Sequence, residues 1–125
     1  MLRKIAFAVA TLVLMLGMSS AAFGQKSSVI RVVIVKTDNA AAYAQAIEDG
    51  KAIMQKAGIS SVTHVYQATF AGPNAGTVVA VIEYPSLNAL AEAQTKLSTD
   101  KDYLAWLKNL DKVQMIVSDS IYREL

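Results

Sequence analysis

Five consecutive apolar residues, Val78 to Ile82, lie within the stretch Thr77-Val-Val-Ala-Val-Ile-Glu-Tyr84. A strand with such a run carries apolar side chains on both faces, which is typical of strands that are covered on both sides. Most of these residues are β-branched, which suits a pleated sheet. The stretch Val29 to Val35 has the same character. The sequence therefore predicts two central strands of a sheet.

Two further strands are predicted at Ser60 to Phe70 and at Val113 to Tyr122, where a mixed pattern is typical of sheet edges. Helical spacing of apolar residues predicts one helix from Asn39 to Lys56. It predicts a second helix from Ser86 to about Leu97, which resumes after a break from Lys101 to Leu110. The order β-α-β-β-α-β is ferredoxin-like. We therefore expect an α+β fold, with a four-stranded antiparallel sheet and the helices on one face.

The same periodicities predict which side chains face the core. In the helix that follows Ser86, they point to Leu87, Leu90, Ala91 and Leu97. In the last strand, alternation places Val113, Met115, Val117 and Ile121 on one face, interrupted by Asp119. We expect Asp119 to pair with Arg31 on the neighbouring strand.

The first 24 residues have the three parts of a secretory signal peptide. A basic start, Met1 to Lys4, precedes an apolar run from Ile5 to Met18, and Ala22 and Gly24 precede a predicted cut before Gln25. The alternative is an uncleaved membrane anchor, but the run is shorter than the roughly 20 residues that a bilayer span needs. We therefore predict a signal peptide over 1–24 and one domain over 25–125, located in the periplasm or secreted.

Charge and cysteine content exclude several classes of function. Removal of Arg3 and Lys4 with the signal leaves ten basic and ten acidic residues. A neutral chain without a basic stripe favours neither nucleic acid nor a membrane surface as a partner. Because the chain has no cysteine, thiol catalysis, cysteine-ligated zinc, iron–sulfur clusters and covalent haem attachment through cysteine are excluded.

Helices on one side of the sheet leave the other side of both central strands uncovered. That side carries Val, Ile or Ala in either register, and a large exposed apolar patch is unusual in a monomer. The simplest cover is a second copy of the sheet, related by two-fold symmetry. We therefore predict a homodimer that forms through the open sheet face.

Two segments resemble the dimeric α/β-barrel superfamily, which includes antibiotic-biosynthesis-monooxygenase-like, NIPSNAP-like and stress-responsive barrel proteins. They are Val-Ile-Glu-Tyr-Pro-Ser-Leu-Asn-Ala-Leu at 81–90 and Leu-Ser-Thr-Asp-Lys-Asp-Tyr-Leu-Ala-Trp-Leu at 97–107. A strand, a Ser-capped helix, a short break and an aromatic-bearing helical turn recur there in the family. The resemblance covers nearly all of Val29 to Tyr122 and implies the fold rather than one chemistry.

The superfamily includes cofactor-independent monooxygenases, haem-degrading enzymes, isomerases and proteins without an assigned role. In the haem-degrading branch, an Asn on the first strand acts with a His and a Trp on or near the second helix. Here the first strand has no Asn and the single His lies on the second strand, so that only Trp106 corresponds. This departure from the pattern disfavours haem degradation, and we expect no cofactor.

The candidate catalytic residues are His64 and Tyr66, and the candidate ligand-pocket residues are Trp106, Tyr103 and Glu83. Histidine changes charge near neutral pH and serves as a general base; aromatic rings can stack on a flat ligand. The alternatives are a partly exposed edge-strand His64, a core role for Trp106 and Tyr103, and a solvated strand end at Glu83. One His without neighbouring carboxylates predicts no metal site.

Two functions remain open from the sequence. The first is an exported barrel dimer that binds a small apolar or aromatic ligand. The second is a cofactor-independent monooxygenase acting on a quinol-like or polyketide-like aromatic, with His64 and Tyr66 handling protons while Trp106 packs against the ring.

Overall fold

The structure, a computed structural model, describes residues 28–69 and 72–125. In chain order the elements are β1 (Val29–Lys36), α1 (Ala40–Lys56), β2 (Val62–Gln67), a 3₁₀ turn (Gly72–Asn74), β3 (Val78–Tyr84), α2 (Leu87–Leu97), α3 (Lys101–Leu110) and β4 (Met115–Arg123). This order confirms the predicted ferredoxin-like fold. The predicted signal peptide, residues 1–24, lies outside the described residues, as does Phe70 at the predicted end of β2.

The sheet has the strand order β2-β3-β1-β4, and all of its pairings are antiparallel. The two strands with continuous apolar runs, β1 and β3, are the central ones, as predicted. The edge strand β2 is shorter than predicted. Within the two described ranges, none of the helices combines the length and the apolar character that a membrane span requires.

Each helix begins at a polar residue whose side chain accepts a hydrogen bond from the backbone. Asn39 Oδ1 accepts from Ala42 N at 3.0 Å, Ser86 Oγ from Ala89 N at 3.0 Å, and Asp100 Oδ1 from Tyr103 N at 2.9 Å. Such caps satisfy N–H groups that have no partner inside the helix. Asp100 therefore separates α2 from α3, which explains the predicted break in the second helix.

The core between helices and sheet consists of two clusters. One joins the ends of β1 and β3 to α1 and α2, and its buried residues are Val29, Met54, Tyr84, Leu90, Ala93 and Leu97. The other joins the opposite ends of these strands to α1 and α3, and its buried residues are Val35, Tyr43, Ile47, Val78 and Leu110. These contacts fix the helices to one face of the sheet.

The predicted core side of α2 is partly wrong. Leu90 and Leu97 are buried, but Leu87 is 52% exposed and Ala91 is exposed, whereas Ala93 is buried. The buried positions 90, 93 and 97 follow spacings of three and four, which trace one narrow stripe along a helix. Leu87 lies in the first turn, where the chain has just left the sheet.

The predicted faces of β4 are also partly wrong, because a β-bulge interrupts its pairing with β1. The register shifts between Ile34 and Val35, so that Val35 is opposite Ile116 and Lys36 is opposite Met115. One extra residue reverses the side to which the following side chains point. Ile116 therefore lies on the helix side with Val35, and Met115 lies on the other side with Lys36.

Candidate functional site

The sheet side without helices, called the open face here, follows directly from the strand register. Cross-strand partners point to the same side of a sheet. Around the centre of the sheet, the open-face residues form three rows that run from β2 through β3 and β1 to β4. They are Val62-Glu83-Ile30-Tyr122, His64-Val81-Val32-Ser120 and Tyr66-Val79-Ile34-Ser118.

The centre of the open face is apolar. Of the six positions that β1 and β3 contribute to these rows, five are Val or Ile, and Glu83 is the exception. None of the six is fully buried in the single chain. The edge positions are more polar and include His64, Ser118 and Ser120. The open face therefore has an apolar centre between two mixed edges.

His64, Glu83 and Tyr66 lie together near the β2 edge of this face. His64 Nε2 is 3.7 Å from Glu83 Oε2, and the two side chains are 47% and 44% exposed. The rings of His64 and Tyr66 are 6.0 Å apart between centroids. The sequence could not predict the contact between His64 and Glu83, because it depends on how β2 is aligned with β3.

Tyr103 and Trp106 lie on the opposite side of the sheet, on α3. Their ring centroids are 5.4 Å apart and their planes are tilted by 38°. Trp106 Nε1 donates a hydrogen bond to Ala46 O at 2.7 Å, and its ring lies against Gly50 of α1. Both rings are partly buried and pack against the core. Trp106 therefore joins α3 to α1, and both residues are only partly buried.

Arg31 and Asp119 form the predicted ion pair on the same side as α3. Arg31 Nε donates to Asp119 Oδ1 at 2.9 Å and Arg31 Nη2 donates to Asp119 Oδ2 at 2.6 Å. The hydrogen bonds from Arg31 hold the pKa of Asp119 below its ordinary value. Burial raises the pKa of the nearby phenols of Tyr84 and Tyr103, so that both remain protonated donors at neutral pH. This pair joins the central strand β1 to the edge strand β4.

Replacement Asp119→Asn is expected to reduce the free energy of unfolding by about 1 kcal/mol at neutral pH, since the pair is bidentate but partly exposed. Asp119 has a lowered pKa in the folded state, so its contribution is complete above the ordinary carboxyl pKa and disappears as the pH falls through the folded value. Denaturant titrations from pH 7 into strong acid should show the difference from wild type shrinking to zero. The control Glu92→Gln, an exposed carboxylate on α2, should show little difference at any pH. A constant difference for Asp119→Asn would contradict this role.

The five candidate residues thus form two groups on opposite sides of the sheet. His64, Tyr66 and Glu83 share the open face, whereas Tyr103 and Trp106 lie under α3. A single chain therefore does not bring His64 to the ring of Trp106. Among residues 28–69 and 72–125, no three or more His, Asp or Glu side chains lie close enough to hold a metal ion.

Comparison with known proteins identifies the fold. No family model matches the sequence, and no curated protein matches it. Among solved structures, SnoaB, a cofactor-independent oxygenase from Streptomyces nogalater, is similar with a TM-score of 0.60 and 10% identity over 79% of this chain and 94% of that chain. A NIPSNAP-like domain protein from Burkholderia xenovorans has a TM-score of 0.60 and 15% identity over 81% and 86% of the two chains.

A NIPSNAP family protein from Agrobacterium tumefaciens is similar as well, with a TM-score of 0.57 and 19% identity over 78% of this chain and 91% of that chain. At such low identity these likenesses establish the fold alone. The chain has the ferredoxin-like α+β fold that antibiotic-biosynthesis-monooxygenase-like and NIPSNAP-like proteins share. The fold predicted from the sequence resemblance is therefore confirmed.

Proposed function

We propose that this protein is an exported homodimer whose subunits associate through their open faces and that it binds a small aromatic ligand. The observation that supports the dimer is the group of five Val and Ile side chains that β3 and β1 contribute to the open face. An apolar centre with a more polar edge is the usual composition of a protein–protein interface. Because a second copy presents the same surface, a two-fold axis lets each apolar centre cover the other.

The ligand is proposed to bind against Tyr103 and Trp106, which are both only partly buried. These two rings offer a tilted aromatic surface, and the guanidinium of Arg31 lies close enough to Tyr103 to influence its pKa. Aromatic rings beside a few polar groups are typical of small-molecule sites, and ring–ring contacts favour a flat aromatic ligand. Trp106 is the chain's single tryptophan, so its fluorescence reports on this site directly.

The second candidate function is a cofactor-independent oxygenase acting on a quinol-like or polyketide-like aromatic. The observation that favours it is the structural similarity to SnoaB. Under this hypothesis, His64 and Tyr66 act in proton transfer at the open face. Their separation from Trp106 within one chain requires that the substrate ring bind at the open face and not against α3.

Titration with a reduced quinone, monitored by Trp106 fluorescence and by an oxygen electrode, distinguishes the two functions. For the proposed binding protein we expect saturable quenching and no oxygen uptake. Tyr103→Ala should weaken binding by about fivefold, because an aromatic contact contributes about 1 kcal/mol. The matched control Tyr122→Ala, on the other side of the sheet, should leave the quenching unchanged. Oxygen uptake that is lost in His64→Ala would instead support the oxygenase.

Export is proposed from the three-part pattern of residues 1–24. Cleavage would leave a chain that begins at Gln25 and carries equal numbers of basic and acidic residues. The mass of the protein recovered from the periplasm or medium should correspond to residues 25–125. A mass that includes Met1 would contradict cleavage.

A further inference from the structure

We propose that His64 and Glu83 make the association of two copies dependent on pH, with the tightest dimer when His64 is protonated. This inference rests on the proposed dimer, because it concerns charges that association would remove from water. It assigns a regulatory role to the His64–Glu83 pair on the apolar open face.

In the single chain, His64 and Glu83 lie at ion-pair distance but form no hydrogen bond. His64 on β2 is opposite Val81, and Glu83 is two residues further along β3. Their nearest charged atoms are 3.7 Å apart, which is beyond the range of a hydrogen bond. Nearly half of each side chain is accessible to water. In the monomer, water therefore solvates both groups and little depends on the charge of His64.

Few other charges face this pair in the described part of the chain. Besides Glu83 on β3, the titratable residue next to His64 is Tyr66 on β2. In the row of His64, β1 and β4 contribute Val32 and Ser120, which do not titrate. On α1, Lys51 borders a cavity beside Val62, and it already pairs with Glu48 at 3.1 Å. At the β4 end of its row, Glu83 lines a cavity together with Tyr122, Arg123 and Glu124, of which the last two carry opposite charges. On the β2 side, His64 is the group within 4 Å of the Glu83 carboxylate that can carry positive charge.

When a second copy covers the open face, His64 and Glu83 lose the water that solvates them in the monomer. A carboxylate that loses water needs a compensating charge, and an unpaired one opposes burial strongly. Protonated His64 supplies that charge and makes the pair neutral as a whole. Neutral His64 leaves one uncompensated carboxylate per subunit, and therefore two in each dimer. Association is consequently favoured at mildly acidic pH and opposed at mildly alkaline pH.

Sedimentation measurements of the dimer dissociation constant at about pH 5.5 and about pH 8, which bracket histidine titration, test the proposal. We expect the constant to be at least about tenfold lower at the acidic pH. Because His64 is the single histidine in the sequence, His64→Gln should remove the dependence and bind weakly at both values. Glu83→Gln should reverse the dependence, because protonated His64 then lacks a compensating carboxylate at the acidic pH, whereas neutral His64 needs none at the alkaline pH. All three proteins should keep the same fold, since both side chains point away from the core.

Two outcomes would overturn the proposal in different ways. A wild-type dimer with the same dissociation constant at both pH values would refute the His64–Glu83 role and leave the proposed dimer intact. A wild-type monomer at both pH values would refute the proposed dimer together with this inference.

Discussion

Val32→Asp is expected to convert the dimer into monomers, raising its dissociation constant by at least about 1,000-fold. Val32 lies on the central strand β1, in the middle row of the open face between Val81 and Ser120. A carboxylate placed there would lose its water in both subunits at once, at a cost of several kcal/mol per ion. In the monomer the same side chain faces solvent, so the chain should still fold. Sedimentation velocity measures the association, and far-ultraviolet circular dichroism checks the fold.

The matched control is Gln94→Glu, which adds the same charge to an exposed position of α2 on the other side of the sheet. It should leave the dissociation constant unchanged within about threefold, because a surface charge far from the interface contributes little. A Val32→Asp protein that remains folded and dimeric would show that the copies associate through a different surface.

Gly50→Ala is expected to reduce the free energy of unfolding by about 1–3 kcal/mol, as overpacking in a core typically does. A Cβ atom on Gly50 would overlap with Cζ2 of Trp106 and would lie 2.7 Å from Cε2. The indole is rigid and is held by its hydrogen bond to Ala46 O, so it can yield only by moving α3. This clash outweighs the roughly 1 kcal/mol that alanine normally contributes over glycine inside a helix. Denaturant unfolding and the emission maximum of Trp106 measure the effect.

A double-mutant cycle separates the clash from the helix propensity. In a Trp106→Leu background the large ring is absent, so Gly50→Ala should become neutral or stabilising. Destabilisation of the same size in both backgrounds would show that the contact with Trp106 is not the cause. It would also remove the argument that α3 is fixed to α1 through this ring.

The central strands could be predicted because their apolar runs need no knowledge of register. Val29 to Val35 and Val78 to Ile82 are apolar on successive residues, so whichever way each strand is rotated both faces are apolar. The pair of Arg31 and Asp119 was predictable for a related reason. The topology makes β1 and β4 neighbours. The apolar face of β1 is interrupted by the positive charge of Arg31, and that of β4 by the negative charge of Asp119.

The side to which His64 points could not be predicted in the same way. Alternation along β2 shows that Val62, His64 and Tyr66 share a face, but it does not show which face the helices cover. That choice depends on the alignment with β3, which is determined across a connection that includes residues outside the described ranges. The bulge opposite Ile34 and Val35 is likewise a pairing feature that neither strand reveals alone. As a result, sequence patterns alone could not show that Glu83 lies on the opposite side of the sheet from Tyr103 and Trp106.

Gly50 illustrates a further limit of sequence reasoning. Its position fits the apolar stripe with Tyr43, Ile47 and Met54. The stripe alone does not show whether this glycine faces a small side chain or makes room for an aromatic ring. The partner ring comes from Trp106, which lies more than fifty residues later in the chain. Contacts over such separations depend on the packing of whole helices, and the spacing of residues within one helix cannot specify them.

The central claim is that a second copy of the chain covers the apolar side of the sheet that the helices leave open. Light scattering on the purified protein, residues 25–125, at micromolar concentration and mildly acidic pH tests it most directly. The account predicts a molar mass twice that of one chain. A molar mass equal to that of a single chain under these conditions would contradict it.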